Sequence, residues 1–105
     1  MSANPTSPRG PTRVTVVESD ACHFCEDAQR VLEELAARYP LTIDTVSVRT
    51  AAGQELMGSH RAALSPLVLL DGDFFSHGRL PRRKLQKTLF ARYGDPADQS
   101  ARKAG

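Results

Sequence analysis

A chain of 105 residues, 40% hydrophobic and 25% charged with a net charge of +2, has the size and composition of one ordinary globular domain. Such a chain buries roughly two-thirds of its unfolded surface, so it needs neither cross-links nor metal to hold a core, and its two cysteines are free for another purpose. No apolar run approaches the roughly 18 residues of a membrane span, and the opening MSANPTSPRGPTR lacks the apolar stretch of a secretory signal.

Prolines 5, 8 and 11 among Ser, Asn and Gly mark residues 1–13 as a disordered lead-in. A β-branched run at 14–17 (Val-Thr-Val-Val) then reads as a first strand. In residues 24–38, Cys25, Ala28, Val31, Leu32, Leu35 and Ala36 recur at helical spacing, and Pro40 stops the helix that they imply. Residues 41–48 form a second strand. Its apolar positions, Leu41 and Ile43, then Val46 and Val48, slip by one in phase, which implies a bulge or burial on both faces. Residues 51–63 read as a weaker helix, with Ala52, Glu55, Leu56 and Arg61 in favour and Gly53 and Gly58 against.

Ser65-Pro66 opens the apolar run 67–70, and Asp71-Gly72 separates it from Phe74 and Phe75, a hairpin signal. Pro81 suits the first turn of a last helix, whose apolar stripe is Leu85, Leu89, Phe90 and Tyr93 and whose end is Gly94-Asp95-Pro96. Residues 95–105 read as a flexible tail and 14–94 as the domain. The order β-α-β-α-β-β-α predicts an α/β fold. A crossover helix makes the first two strands parallel, the hairpin adds antiparallel ones, and a four-stranded mixed sheet carries helices on both faces.

Charge is unevenly spread. Residues 18–34 hold six acids against one base, Arg30, whereas residues 79–105 hold eight bases against Asp95 and Asp98. Such blocks read first as solvated helix faces and second as surfaces that steer a partner.

Cys22-His23-Phe24-Cys25 lies at a strand-to-helix junction. Side chains three apart on a first helical turn are neighbours, so a disulfide can form and break with little backbone movement. Cys22 would sit where unpaired backbone N–H groups and the helix dipole stabilise a thiolate, while Cys25 points toward the core. An exposed thiol beside a shielded one suits exchange through a mixed disulfide. Asp20, Glu26 and Asp27 work against the thiolate and a protonated His23 works for it. In the default compartment, the cytoplasm, a close cysteine pair serves catalysis or metal more often than structure. A closed zinc site wants four ligands. Only one such pair is present, and His23, His60 and His77 read as solvated single histidines.

The run VTVVESDACHFCEDAQRVLEEL resembles the active-site strand, motif and first helix of small bacterial glutaredoxin-like proteins. ALSPLVLLDGDFF resembles their proline loop and hairpin, and GRLPRRKLQKTL their closing helix. The resemblance covers about residues 14–94 and implies the thioredoxin fold and a cytoplasmic, monomeric dithiol–disulfide oxidoreductase. It makes Cys22 the nucleophile and Cys25 the resolving thiol. Pro66 becomes a cis-proline facing them, and Ser65, with His23 and Phe24, meets the substrate. No cofactor and no metal are expected. The implied partners are a disulfide-containing protein or a low-molecular-weight thiol and a reductant, with no role for a membrane or nucleic acid. The lysine that glutathione-binding members carry before the motif is replaced by Ser19 or Asp20, and their Gly-Gly…Asp signature by Gly78-Arg79-Leu80-Pro81. Glutathione is therefore expected to be a poor partner. The competing readings are a zinc or iron–sulfur module and a non-catalytic interaction protein that uses the basic last helix.

Overall fold

A computed structural model describes residues 10–94. Seven elements follow in chain order: β1 (Thr12–Glu18), α1 (His23–Ala36), β2 (Leu41–Ser47), α2 (Ala51–Ser59), β3 (Leu67–Leu70), β4 (Asp73–His77) and α3 (Arg82–Tyr93). They form a four-stranded sheet ordered β2-β1-β3-β4. β1 pairs in parallel with β2 and antiparallel with β3, which in turn pairs antiparallel with β4. Residues 1–9 of the expected lead-in, and the whole expected tail at 95–105, lie outside the described residues.

Alternation along β1 distributes its side chains between two cores. Val14 and Val16 join Ala28, Val31, Leu32 and Leu35 of α1, Val68 and Leu70 of β3, and Leu85 and Leu89 of α3 on one face. Val17 joins Leu67 and Leu69 on the other, with Leu56 and Met57 of α2 packed against them. β2, which ends at Ser47 rather than residue 48, takes part in both cores: Leu41 and Ile43 pack on the first, and Val46, with Val48 just beyond the strand, on the second. Of the two explanations for its phase slip, burial on both faces holds. Its ladder with β1 runs without a break, and the irregularity falls instead at Val68/Leu69, opposite β4.

Several boundaries differ from the sequence expectation, each for a local reason. β1 starts at Thr12 rather than residue 14, because Thr12, 1% exposed, already pairs with Leu41 and its hydroxyl is satisfied inside the fold. α1 ends at Ala36 rather than residue 38. Its last N–H groups tighten, with Ala37 bonding to Glu34 O and Arg38 to Leu35 O, as Tyr39 turns into the core before Pro40. α2 ends at Ser59 rather than residue 63. Arg61 takes a left-handed φ of 53°, and its N–H reaches Gly58 O while that of Ala62 reaches Met57 O, the Schellman termination with arginine where glycine is usual. Gly53, counted against this helix, is required by it: a Cβ there would lie 2.0 Å from the Ser47 carbonyl oxygen. Pro81 caps α3 from outside rather than forming its first turn.

The Asp71-Gly72 signal is realised directly. Both residues have positive φ, 51° and 88°, and Leu70 pairs with Asp73 around them, as in a two-residue hairpin of the primed type. Two apolar expectations fail, and the first is Ala36 of the α1 stripe, which is exposed. The second is Phe90, which does not join Leu85 and Leu89 in the core but stands 55% exposed.

Candidate active site

The end of β1 and the start of α1 place the two cysteines. Ala21, with φ 50°, turns the chain sharply so that Cys22, extended at φ −116°, becomes the N-cap of α1. Its Sγ accepts a hydrogen bond from the Cys25 backbone N–H at 3.1 Å. This is the bond that a serine or aspartate oxygen makes at an ordinary cap, here given to sulfur. The two cysteines are joined as a disulfide with Cα atoms 5.2 Å apart. Cys22 is half-buried, whereas Cys25 is 3% exposed. One sulfur is therefore approachable and the other shielded.

The second wall comes from the loop before β3, the strand paired antiparallel with β1. The Ser65–Pro66 peptide bond is cis, and Pro66 is fully buried. The Ser65 carbonyl oxygen lies 3.9 Å from Cys22 Sγ, and the Ser65 hydroxyl meets that of Ser19 at 2.8 Å. Fold topology thus brings together segments 43 residues apart. Phe24 stands 47% exposed beside the disulfide. His23 projects into solvent, with its Nδ1 3.9 Å from Glu26.

The electrostatics differ in one respect from the sequence reading. Asp20 does not act on the site as an isolated anion, because Arg49, from the turn after β2, pairs with it at 2.5 Å. Nothing in the sequence joins residues 29 positions apart, so this pairing was not foreseeable. Of the other two acids, Glu26 lines an open depression beside the disulfide and Asp27 does not. The depression is lined by Glu18, Glu26 and Glu33 with Arg30 as its cation, and Gln29 donates to Glu18 at 2.9 Å and to Thr45 at 3.0 Å.

His77, read as a solvated side chain, has a structural task. Its Nδ1 accepts the backbone N–H groups of Ala63 and Leu64, each at 3.3 Å, and so ties down the loop that leads into Ser65 and Pro66. Only an unprotonated Nδ1 can do this. His60 is half-buried and stacks on Phe74 with ring centroids 6.5 Å apart. Among the described residues, no three of His, Cys, Asp and Glu are grouped so as to hold a metal ion, and no helix is long and apolar enough to cross a membrane.

Comparison with family models and with curated protein sequences gives no match. Among solved structures the chain is similar to a mutant thioredoxin from Halobacterium salinarum, with TM-score 0.60 and 18% identity over 83% of this chain and 79% of that one. It is also similar to the thioredoxin of Fasciola hepatica, with TM-score 0.58 and 20% identity over 81% and 84% of the two chains. Oxidised mitochondrial thioredoxin 3 of Saccharomyces cerevisiae gives TM-score 0.58 and 18% identity over 80% and 81%. At these identities the likeness is one of fold.

Proposed function

We propose that this thioredoxin-fold chain is a dithiol–disulfide oxidoreductase in which Cys22 attacks and Cys25 resolves. The observation that carries the reading is the asymmetry of the pair: Cys22 Sγ caps α1 at the protein surface, and Cys25 lies buried one turn behind it.

In the reduced protein the Cys22 thiolate is stabilised by the N–H of Cys25 and by the positive end of α1. It attacks one sulfur of a substrate disulfide in line with the S–S bond. A bond forms between Cys22 Sγ and that sulfur, and the other substrate sulfur leaves as a thiolate that takes up a proton from water. Cys25, deprotonated, then attacks Cys22 Sγ. The second substrate thiolate leaves and the Cys22–Cys25 disulfide remains. Two electrons pass from the dithiol to the substrate, and a second reductant, a small thiol or a reductase, restores the pair.

Ser65 and the cis Pro66 support this reading as the surface that a substrate chain meets across from Cys22, with Phe24 offering an apolar contact. The acid-lined depression disfavours a small anionic thiol such as glutathione, which agrees with the incomplete carboxylate-binding signature of the sequence. The domain expected over residues 14–94 begins with β1 at Thr12, and it is proposed to act as a monomer in the cytoplasm.

The test is reduction of a protein disulfide with dithiothreitol as electron source. The wild-type chain should turn over and Cys22→Ser should be inactive. Equal rates for the two would remove Cys22 from the mechanism.

A further inference from the structure

About 15 Å along α1 from Cys25, at a helical rise of about 1.5 Å per residue, the last turn of α1 and the outer face of α3 enclose a groove of about 520 Å³. Leu35 and Tyr39 form its floor, Arg38 stands on one wall, and Arg83, Lys87 and Phe90 stand on the other. The wall residues of α3 are spaced four and three apart and so share one stripe.

The cations of α3 divide into two groups. Arg82 pairs with Glu34, Lys84 lies 5.0 Å from the centre of the Phe75 ring, and Arg92 binds Asp71 and Thr12. Each of these holds the fold together. Arg83 and Lys87, with Arg38 opposite, form no ion pair among the described residues. All three line the same groove, beside the half-exposed ring of Phe90. A large aromatic side chain left at the surface between unpaired cations costs burial that the core could have supplied.

We propose that this groove is a docking site for an acidic, amphipathic segment of a partner protein: one bulky apolar side chain set against Phe90 and Leu35, flanked by carboxylates that reach Arg38 on one side and Arg83 and Lys87 on the other. Charge complementarity selects this occupant over other polyanions. A nucleic acid needs a continuous cationic track, and here the cations lining the groove are Arg38, Arg83 and Lys87 alone among the described residues. An anionic membrane needs a broad apolar face, and Phe90 is the large exposed hydrophobic on this one. The site is separate from the cysteines, so binding and disulfide exchange can be lost independently.

The experiment is selection of peptides from a random display library on the full-length oxidised protein, followed by fluorescence anisotropy with the selected peptide. The expected consensus is an aromatic or leucine residue flanked by Asp or Glu. Arg83→Glu combined with Lys87→Glu should weaken binding by about tenfold or more, and Phe90→Ala should weaken it as well. Added salt should loosen the wild-type complex. Cys22→Ser should bind as the wild type does, and the charge-reversed protein should keep its disulfide-exchange rate. A consensus without carboxylates overturns the proposal, as does unchanged affinity after charge reversal. So does tighter binding to phosphatidylserine vesicles or duplex DNA than to the selected peptide, or a dimer in sedimentation that the charge reversal dissolves.

Discussion

Cys22 caps α1 through the same sulfur atom that the proposed exchange uses as its nucleophile. The N–H that would bond water or a cap oxygen at the start of an ordinary helix bonds its sulfur instead, so local folding energy and thiolate stabilisation arise from one interaction. In the reduced protein, limiting iodoacetamide should therefore label Cys22 well before Cys25, as read by peptide mass spectrometry. Preferential labelling of Cys25 would reverse the two roles. Arg61 gives a second test at a single position. Its left-handed φ carries a steric cost for any side chain with a Cβ, partly offset by the extra freedom that glycine has when unfolded. Arg61→Gly should raise the unfolding free energy by up to about 1 kcal/mol in urea titration, and a loss of stability would show that the Arg61 side chain makes a contribution that its exposed position does not suggest. That a helix ended here could not be read from the chain, because the usual glycine at this position is missing.

Among the elements, α1 was the most legible, since a stripe of Cys25, Ala28, Val31, Leu32 and Leu35 has one reading at 3.6 residues per turn. Leu32 sits at its centre with no exposed surface. Leu32→Ala should cost about 2–5 kcal/mol by thermal or urea unfolding. The less legible elements are those whose neighbours decide their character. Gly53 looks like a flaw in α2 until the Ser47 carbonyl is seen pressed against it, and Gly53→Ala should destabilise the protein where an alanine in a free helix would help. Phe90 has the spacing of a core residue in α3, yet the core takes Leu85 and Leu89, with Tyr93 packed against it. Helical periodicity gives a stripe but not its width, and the edge of this stripe faces the groove. The Ser65–Pro66 loop was legible only through resemblance, because its approach to Cys22 depends on how two distant segments meet.

Across the molecule the two ends of the sheet do different work. The C-terminal end of β1 delivers the cysteines, and the N-terminal end anchors α3 and the hairpin. There Arg92 donates to the Thr12 hydroxyl at 2.9 Å, that hydroxyl lies 2.7 Å from the Tyr93 hydroxyl, and the latter donates to the Gly10 carbonyl at 2.5 Å. Arg92 also holds Asp71 at 2.6 Å, and the Arg13 N–H donates to the same carboxylate at 2.9 Å. Partial burial pushes the Asp71 carboxyl up, but the Arg13 N–H and the Arg92 guanidinium outweigh it and hold it below the usual aspartate value. A carboxyl depressed in the folded state adds stability that is present above its unfolded value and lost as pH falls through the folded one. The wild type should thus lose a margin over Asp71→Asn below about pH 4. Because Asp71 is exposed, that margin should be at most about 1 kcal/mol, measured by urea unfolding at neutral and acid pH. A gap between the two proteins that stays constant down to acid pH would show that the Asp71 charge contributes nothing.

The central claim is that Cys22 carries the covalent intermediate and Cys25 releases it. The most direct measurement is mass spectrometry of Cys25→Ser after exposure to a protein disulfide substrate, with the reaction quenched in acid. A stable adduct of one substrate chain should accumulate on Cys22 in the variant and should not be retained by the wild type. A variant that shows no adduct, yet still reduces the substrate at the wild-type rate, would contradict it.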